Sequence, residues 1–578
     1  MASACCSSSP VAKDHLDHGL AAAPATADPA HHARRTSVSD TADLLVVGRI
    51  ATGDPANPSA EAMAVSGGQI VGIGTRADVE GLVGPSTTTL APDGFVLPGL
   101  IDPHMHIWTS LLNLRWTDLS HARCPKFDDV LAAVKATAQQ TPPGGWVLGK
   151  AFDPSLYPGE PVVTRALLDQ ASPDHPVLIM NASGHFFYSN SKGFELAKVT
   201  DTTPDPPGGK FGRIDGTLDG SIGEPPAMLM MIAALPKPTP QDIASGILEI
   251  LTTAARRGVT SVREAATGSI SGIGEYTLLH QLNGSARLPV RVSTAQFSVV
   301  AGRSPSEVIA DWTAAGVTPF SGDEMVRADA WKVVTDGSNQ GRSGYFMQPY
   351  LGEESGGKTD WTPEGLREVL GVGLDAGWQL MVHTNGDGAI EFALTALEEL
   401  LPKYGTTDLR HRFEHCSFAT DDQLHRMAAA GISPSFLMNH VYFWGAAFRD
   451  TILGPTRANR LDRVASAYAA GLRPSIHSDY NVTDIDPLHS ARTAVQRILQ
   501  ADGSVLNPAE CATPEQALAA ITTHAAWQIH ADDRGTLAVG KRADFAVASG
   551  DPWASDPQGW PDIEFHATYI DGVPAYQG

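Results

Sequence analysis

Cysteine is scarce in this 578-residue chain: Cys5, Cys6, Cys124, Cys416 and Cys511 are all it has. Five scattered thiols build no disulfide framework, so a reducing, cytoplasmic setting is expected. Basic residues are also in deficit. Lys plus Arg number 41 against 64 Asp plus Glu, a formal net charge of −23. An acidic surface of that size argues against nucleic acid as a partner. No run of 18 apolar residues occurs, which argues against a transmembrane helix and a membrane partner. Cys5-Cys6 lie among Ser and Ala with no hydrophobic signal core, so neither lipidation nor metal binding is expected of them.

What is present is 42% hydrophobic and 18% charged, an ordinary globular composition in a chain too long for one simple core. Residues 1–40, rich in Ala, Ser, Pro, Asp and His, read as a disordered leader. From Ala42 short strands begin. Asp43–Val47 is one, and Glu61–Val65 with Gln69–Gly74 forms a hairpin across Gly67-Gly68. Phe95–Leu97 closes this unit. The C-terminus offers matching pieces, Gly540–Ala548 and the hairpin-like Phe565–Pro574. Pairing them predicts one small composite β-sandwich domain built from residues 41–97 and 530–578.

Residues 98–529 alternate strands and helices, which predicts parallel strands with helical crossovers. The first strand is Leu100 onward. The later candidates are 259–263, 288–296, 329–335, 378–383, 412–415, 432–437 and 473–478. Helices before several of them stop at Gly258, Gly377, Gly431 and Gly471, the residue type expected just past a helix end. Eight strands make a (β/α)8 TIM barrel the leading fold. About 109–241 is too long for a crossover and reads as an insertion over the barrel mouth.

Barrel chemistry collects at the C-terminal strand ends. The first strand ends in His104-Met105-His106, whose spacing of two puts both imidazoles on one side. Later ends supply Lys332, His383, His415 and Asp479. Four imidazoles and a carboxylate suit one or two divalent ions, zinc first, with manganese, iron or nickel as alternatives. His477 lies two residues before Asp479 and reads as its hydrogen-bonding neighbour. Asp387 precedes a helix and reads as its cap. Cys416 points away from His415 and is not proposed as a nucleophile.

In this order the motifs resemble the metal-dependent amidohydrolase superfamily, in the branch that includes the N-substituted formamide deformylases. The resemblance rests on Leu97–His106, Lys332 before Asp336-Gly337-Ser338, His383 before Gly386-Asp387, Glu414-His415, His477-Ser478-Asp479, and Gly540–Phe545. It implies that His104, His106 and Asp479 bind the more buried metal and that His383 and His415 bind the second. It implies Lys332 carboxylated by CO2, against the alternative of an unmodified lysine in a one-metal site. Asp479 would shuttle a proton between the attacking water and the leaving group. His440, after the seventh strand, is placed to touch the reacting carbonyl. His185 in the insertion is either a substrate contact or a plain loop histidine. Tyr442 and Trp444 either line the pocket or serve packing. With Tyr345 and Phe346 they hint at an apolar substrate portion.

The expected partner is a small non-peptide amide whose carbon–nitrogen bond is hydrolysed. Esters and carbamates use the same machinery, decarboxylation runs on the same architecture, and a non-catalytic metal-binding protein is the reading from another class. A homo-oligomer is compatible with the sequence.

Overall fold

The computed structural model describes residues 41–578 apart from 158, 160–162, 207–208, 301, 360 and 406–407. The expected leader, 1–40, lies outside the described residues.

Eight parallel strands form the central sheet in chain order: Leu100–Met105, Val259–Thr267, Arg291–Phe297, Val326–Val334, Gln379–Thr384, Arg412–His415, Ser433–Phe436 and Ser475–Ile476. Each connection after the second strand carries a helix, beginning with Gly274–Ala286 and Pro305–Ala314. The eighth strand is two residues long, shorter than the sequence pattern suggests. No ladder joins it to the first among the described residues. Closure rests instead on the Asp479 N–H donating to the His104 carbonyl (3.1 Å) and the His106 N–H donating to the Tyr480 carbonyl (2.7 Å).

The helix leading into the second strand shows how the sequence builds this layer. Pro240–Arg256 starts at Thr239, whose hydroxyl and Asp242 cap each other's main chain. Ile247, Ile250, Leu251 and Ala254 recur at helical spacing and are buried against the barrel. Burying each Leu or Ile contributes about 1.5–3 kcal/mol. The helix Asp421–Ala430 ends on Gly431 at φ +69°, the left-handed cap that glycine takes at least cost.

Strand alternation sets what faces inward. Ala330 packs inside with Ala265, Ala295 and Met381. Trp331 turns outward, and its indole N–H donates to the Val369 carbonyl of helix Pro363–Asp375 (3.0 Å). Lys332 therefore returns to the barrel interior, where it is buried.

Strands from both chain ends share a second eight-stranded sheet. Phe545–Ala548 pairs antiparallel with Phe95–Pro98, which runs parallel to Leu44–Ala51. The hairpin Ser59–Ser66 and Gln69–Gly74 lies at one side and Phe565–Ile570 with Val573–Gln577 at the other. Arg291, at the start of the third barrel strand, anchors this sheet. Its Nε donates to Asp544 (2.7 Å) and its Nη2 to Asp571 (2.6 Å). Losing one member of such a buried pair typically costs about 3–5 kcal/mol.

The segment between the first two barrel strands carries a six-stranded sheet of its own, from Thr117–Asp118 to Thr217–Gly223. Buried Asp153 binds it to the barrel by accepting the Trp444 indole N–H (2.8 Å). Asn481 Nδ2 donates to Asn113 Oδ1 at a second contact (2.7 Å). No helix among the described residues is long and apolar enough to cross a membrane.

Candidate metal centre

His104 and His106 leave the first strand on one side, and Asp479 meets them from beyond the eighth. Its Oδ1 is 3.1 Å from His104 Nε2 and 3.2 Å from His106 Nε2. His415 Nδ1 is 3.9 Å from Asp479 Oδ2, and the His383 ring stands 4.6 Å from the His415 ring. Lys332 completes the group, its charge acting on both His383 and Glu414. The structure thus gathers His104, His106, Lys332, His383, His415 and Asp479 into one buried cluster.

Alternation alone would not do this. On the sixth strand Phe413 faces the helices and Glu414 faces inward, so His415 should turn outward. It does not, because its backbone is left-handed, at φ +61°. Asp479 is held likewise at φ +51°. Non-glycine residues pay about 1–2 kcal/mol for that region, a strain typical of functional sites.

Glu414 has a part that the sequence did not disclose. Its Oε2 is 2.5 Å from His104 Nδ1, and Arg412 clamps both carboxylate oxygens at 2.8 Å while also reaching the Pro103 carbonyl. Burial pushes the Glu414 carboxyl up, but the Arg412 charge and the His104 bond outweigh it and hold it well below the ordinary range. An ionised Glu414 accepts Nδ1–H and leaves His104 Nε2 with a free lone pair. Period two pairs Arg412 with Glu414 in the sequence, the signal that was there to be used.

Burial pushes His383 and His415 well below the usual imidazole range. Neutral rings are what metal ligation requires. Burial also pushes the Asp479 carboxyl up, and its contacts with His104, His415 and His106 more than reverse it and hold it well below the ordinary range. His104 Nε2, His415 Nδ1 and Asp479 Oδ1 are buried without a well-formed hydrogen bond. Buried polar atoms rarely lack partners, so these donors fit a divalent cation. His104, His106 and Asp479 offer ligand atoms within 4.8 Å of one another, as do His104, Glu414 and His477. The first set fits better, because Arg412 and His104 already occupy Glu414.

The neighbouring residues sort differently. The His477 ring makes no hydrogen bond. It stacks on His104 at 4.5 Å, which replaces the hydrogen-bonding role expected of it. Asp387 is not the helix cap; Gly386 is, and Asp387 binds the Met347 N–H (2.9 Å) and Arg460 (3.0 Å). Asp336 accepts main-chain N–H groups from Tyr345, Asn385 and Gly386, and burial pushes its carboxyl to about 7. His383 Nε2 sits 3.1 Å from Asn385 Nδ2. His185 is buried, 3.3 Å from Glu224, and its charge is felt at Asp336. His440 is the second residue of the helix Asn439–Ala447 and is buried. Trp444 is buried on Asp153, and half-buried Tyr442 meets the His489 ring edge-on at 4.7 Å.

Comparisons with known proteins agree with this architecture. The chain is 27% identical over 560 residues to Protein LONG AFTER FAR-RED 3 of Arabidopsis thaliana, covering 93% of this chain and 92% of that protein. It is 27% identical over 558 residues to the N-substituted formamide deformylase of Arthrobacter pascens, covering 93% and 98%. Among solved structures, an uncharacterized metal-dependent hydrolase from Pyrococcus horikoshii superposes with a TM-score of 0.69 at 21% identity, covering 89% of this chain and 99% of that one. The model described as Amidohydrolase family matches residues 91–576. The chain therefore belongs to the amidohydrolase family and is a hydrolase acting on carbon–nitrogen bonds.

Proposed function

We propose that this enzyme hydrolyses a small non-peptide amide, an N-substituted formamide or similar N-acyl amine, at the centre formed by His104, His106, Lys332, His383, His415 and Asp479. The observation that carries the reading is the convergence of His104 Nε2 and His106 Nε2 on Asp479 Oδ1, at 3.1 and 3.2 Å, in a buried site. Likeness to the formamide deformylase supports the substrate class. Imidazole and carboxylate donors favour zinc, one ion or two. Such a cation, when bound, supplies Lewis acidity towards a carbonyl and makes water easier to deprotonate.

The chain's own residues do the rest. Asp479 accepts a proton from the attacking water and returns it to the leaving amine nitrogen. His440 donates a hydrogen bond to the carbonyl oxygen as it gains charge. His185, Tyr442 and Trp444 bound the substrate side. Lys332, as a neutral amine, adds CO2 and loses a proton to become an anionic carbamate, which relieves the repulsion between an ammonium and divalent cations. A reducing cytoplasm suits the described cysteines Cys124, Cys416 and Cys511, which are free.

The test is amine release from a panel of N-substituted formamides, their N-acetyl counterparts and matching esters. Zinc-loaded protein should release amine from formamides, lose this on chelation and regain it with zinc. A fully loaded protein that hydrolyses no member overturns the reading.

A further inference from the structure

Behind the site lies a carboxyl to which nothing above gives a task. Asp462 has no exposed surface. Buried Arg497 donates to the Asp462 and Leu461 carbonyls (2.9 and 2.7 Å), and the Asp462 N–H donates to the Ser417 carbonyl (2.7 Å). These bonds hold the residue at φ +45°, where glycine would be cheaper. Yet neither carboxyl oxygen makes a well-formed hydrogen bond. Neighbouring Ser417 lies close enough to bear on the carboxyl, but its hydroxyl donates to Asn385 Oδ1 (3.1 Å). Leaving such a group unsatisfied costs about 1–3 kcal/mol or more.

Asp462 Oδ2 lies 4.0 Å from His440 Nδ1, which is also buried and without a hydrogen bond. A shift of about 1 Å closes that gap to hydrogen-bond distance. We propose that the Asp462 carboxyl donates its O–H to His440 Nδ1 and so fixes His440 as the Nε2–H tautomer, with that N–H left for the substrate carbonyl. Asp462 is then a positioning residue, and the inference rests on the role given to His440 above.

The chemistry is consistent throughout. A neutral imidazole has one donor and one acceptor nitrogen, and the partner of one sets the other. Burial pushes the Asp462 carboxyl well up against the Arg497 charge, favouring its neutral form, and pushes the His440 imidazole down to about 4, so the ring is neutral near pH 7. With the carboxyl proton on the Nδ1 side, the ring proton belongs on Nε2. A neutral donor strengthens as the carbonyl oxygen gains charge and brings no competing cation beside the metal.

Nitrogen-15 spectra of the histidine-labelled, zinc-loaded full chain test this directly, with His440 assigned by its loss in His440→Gln. The expected result is a protonated Nε2 and an unprotonated, hydrogen-bonded Nδ1. Asp462→Asn should keep that pattern, since its amide can donate to Nδ1, whereas Asp462→Leu should give a tautomer mixture. On the formamide with greatest turnover, Asp462→Leu should lower kcat about ten-fold or more, with KM and zinc content kept. The same change on a His440→Gln background should cost nothing further. A protonated Nδ1 in the parent protein, or an equal loss in both backgrounds, overturns the proposal. If Asp462→Leu does not fold, the parent spectrum still decides. If no substrate turns over, the functional reading falls while the spectrum still reports on Asp462.

Discussion

Glu414 Oε2 and His104 Nδ1 are 2.5 Å apart, buried, and drawn from strands whose residues lie 310 positions apart in the chain. Arg412 holds the carboxylate ionised, so this one contact decides which His104 nitrogen faces Asp479. Glu414→Gln should weaken zinc binding about 10–100-fold, read by competition with a chromophoric chelator. It also leaves Arg412 unpaired, so the melting temperature should fall. Zinc affinity equal to the parent's would show that the carboxylate does not orient the ligand.

Asp479→Asn keeps the shape of the side chain and removes its basicity. The kcat for amide hydrolysis should drop about 10²–10⁴-fold. Metal analysis must accompany the kinetics, because a variant that loses activity only in step with its zinc assigns Asp479 to ligation and not to proton transfer.

Lys332→Ala should lower bound metal and abolish turnover, and a small carboxylic acid added to the medium should restore part of both. In the parent protein, labelled CO2 should give a carbamate carbon resonance that Lys332→Ala lacks. Full metal content and activity in the variant would rule out a carboxylated Lys332 at the centre.

Acid stability offers a prediction remote from the site. His411 is buried below the sixth strand, and its Nδ1 accepts the Leu380 N–H (3.0 Å), which requires a neutral ring. Burial pushes its pKa down to about 4. A pKa depressed on folding stabilises the protein above the unfolded value near 6.5, and the gain is lost as pH falls through about 4. The gain is about 3 kcal/mol at most. Metal-free His411→Gln should therefore lose less melting temperature than the metal-free parent between pH 7 and 4.5. Parallel pH curves would count against a neutral, buried His411.

Much of this was legible in the sequence because it depends on short-range periods. The spacing of His104 and His106, the Gly stops before strands and the hairpin across Gly67-Gly68 follow from local geometry. What stayed hidden depends on distant partners. Glu414 beside His415 looks redundant until the fold brings His104 to it. His477 stacks where a hydrogen bond was expected, because the ring opposite it is already committed to Glu414. Asp387 serves Met347 and Arg460 across a loop, which no cap pattern reports. The insertion was legible as a segment too long for a crossover, but the pairing of its strands into one sheet was not.

The seam between the first and eighth strands has a consequence for how the molecule is made. Asp479 and His106 each donate the backbone bond that shuts the cylinder. Ser478 binds Asp102 beside them, 376 residues away along the chain. Contacts at such separation carry a large loop-closure cost and form slowly. Closing the barrel and assembling the proposed site therefore draw on the same residues, and a nascent chain can complete neither before Asp479 has emerged.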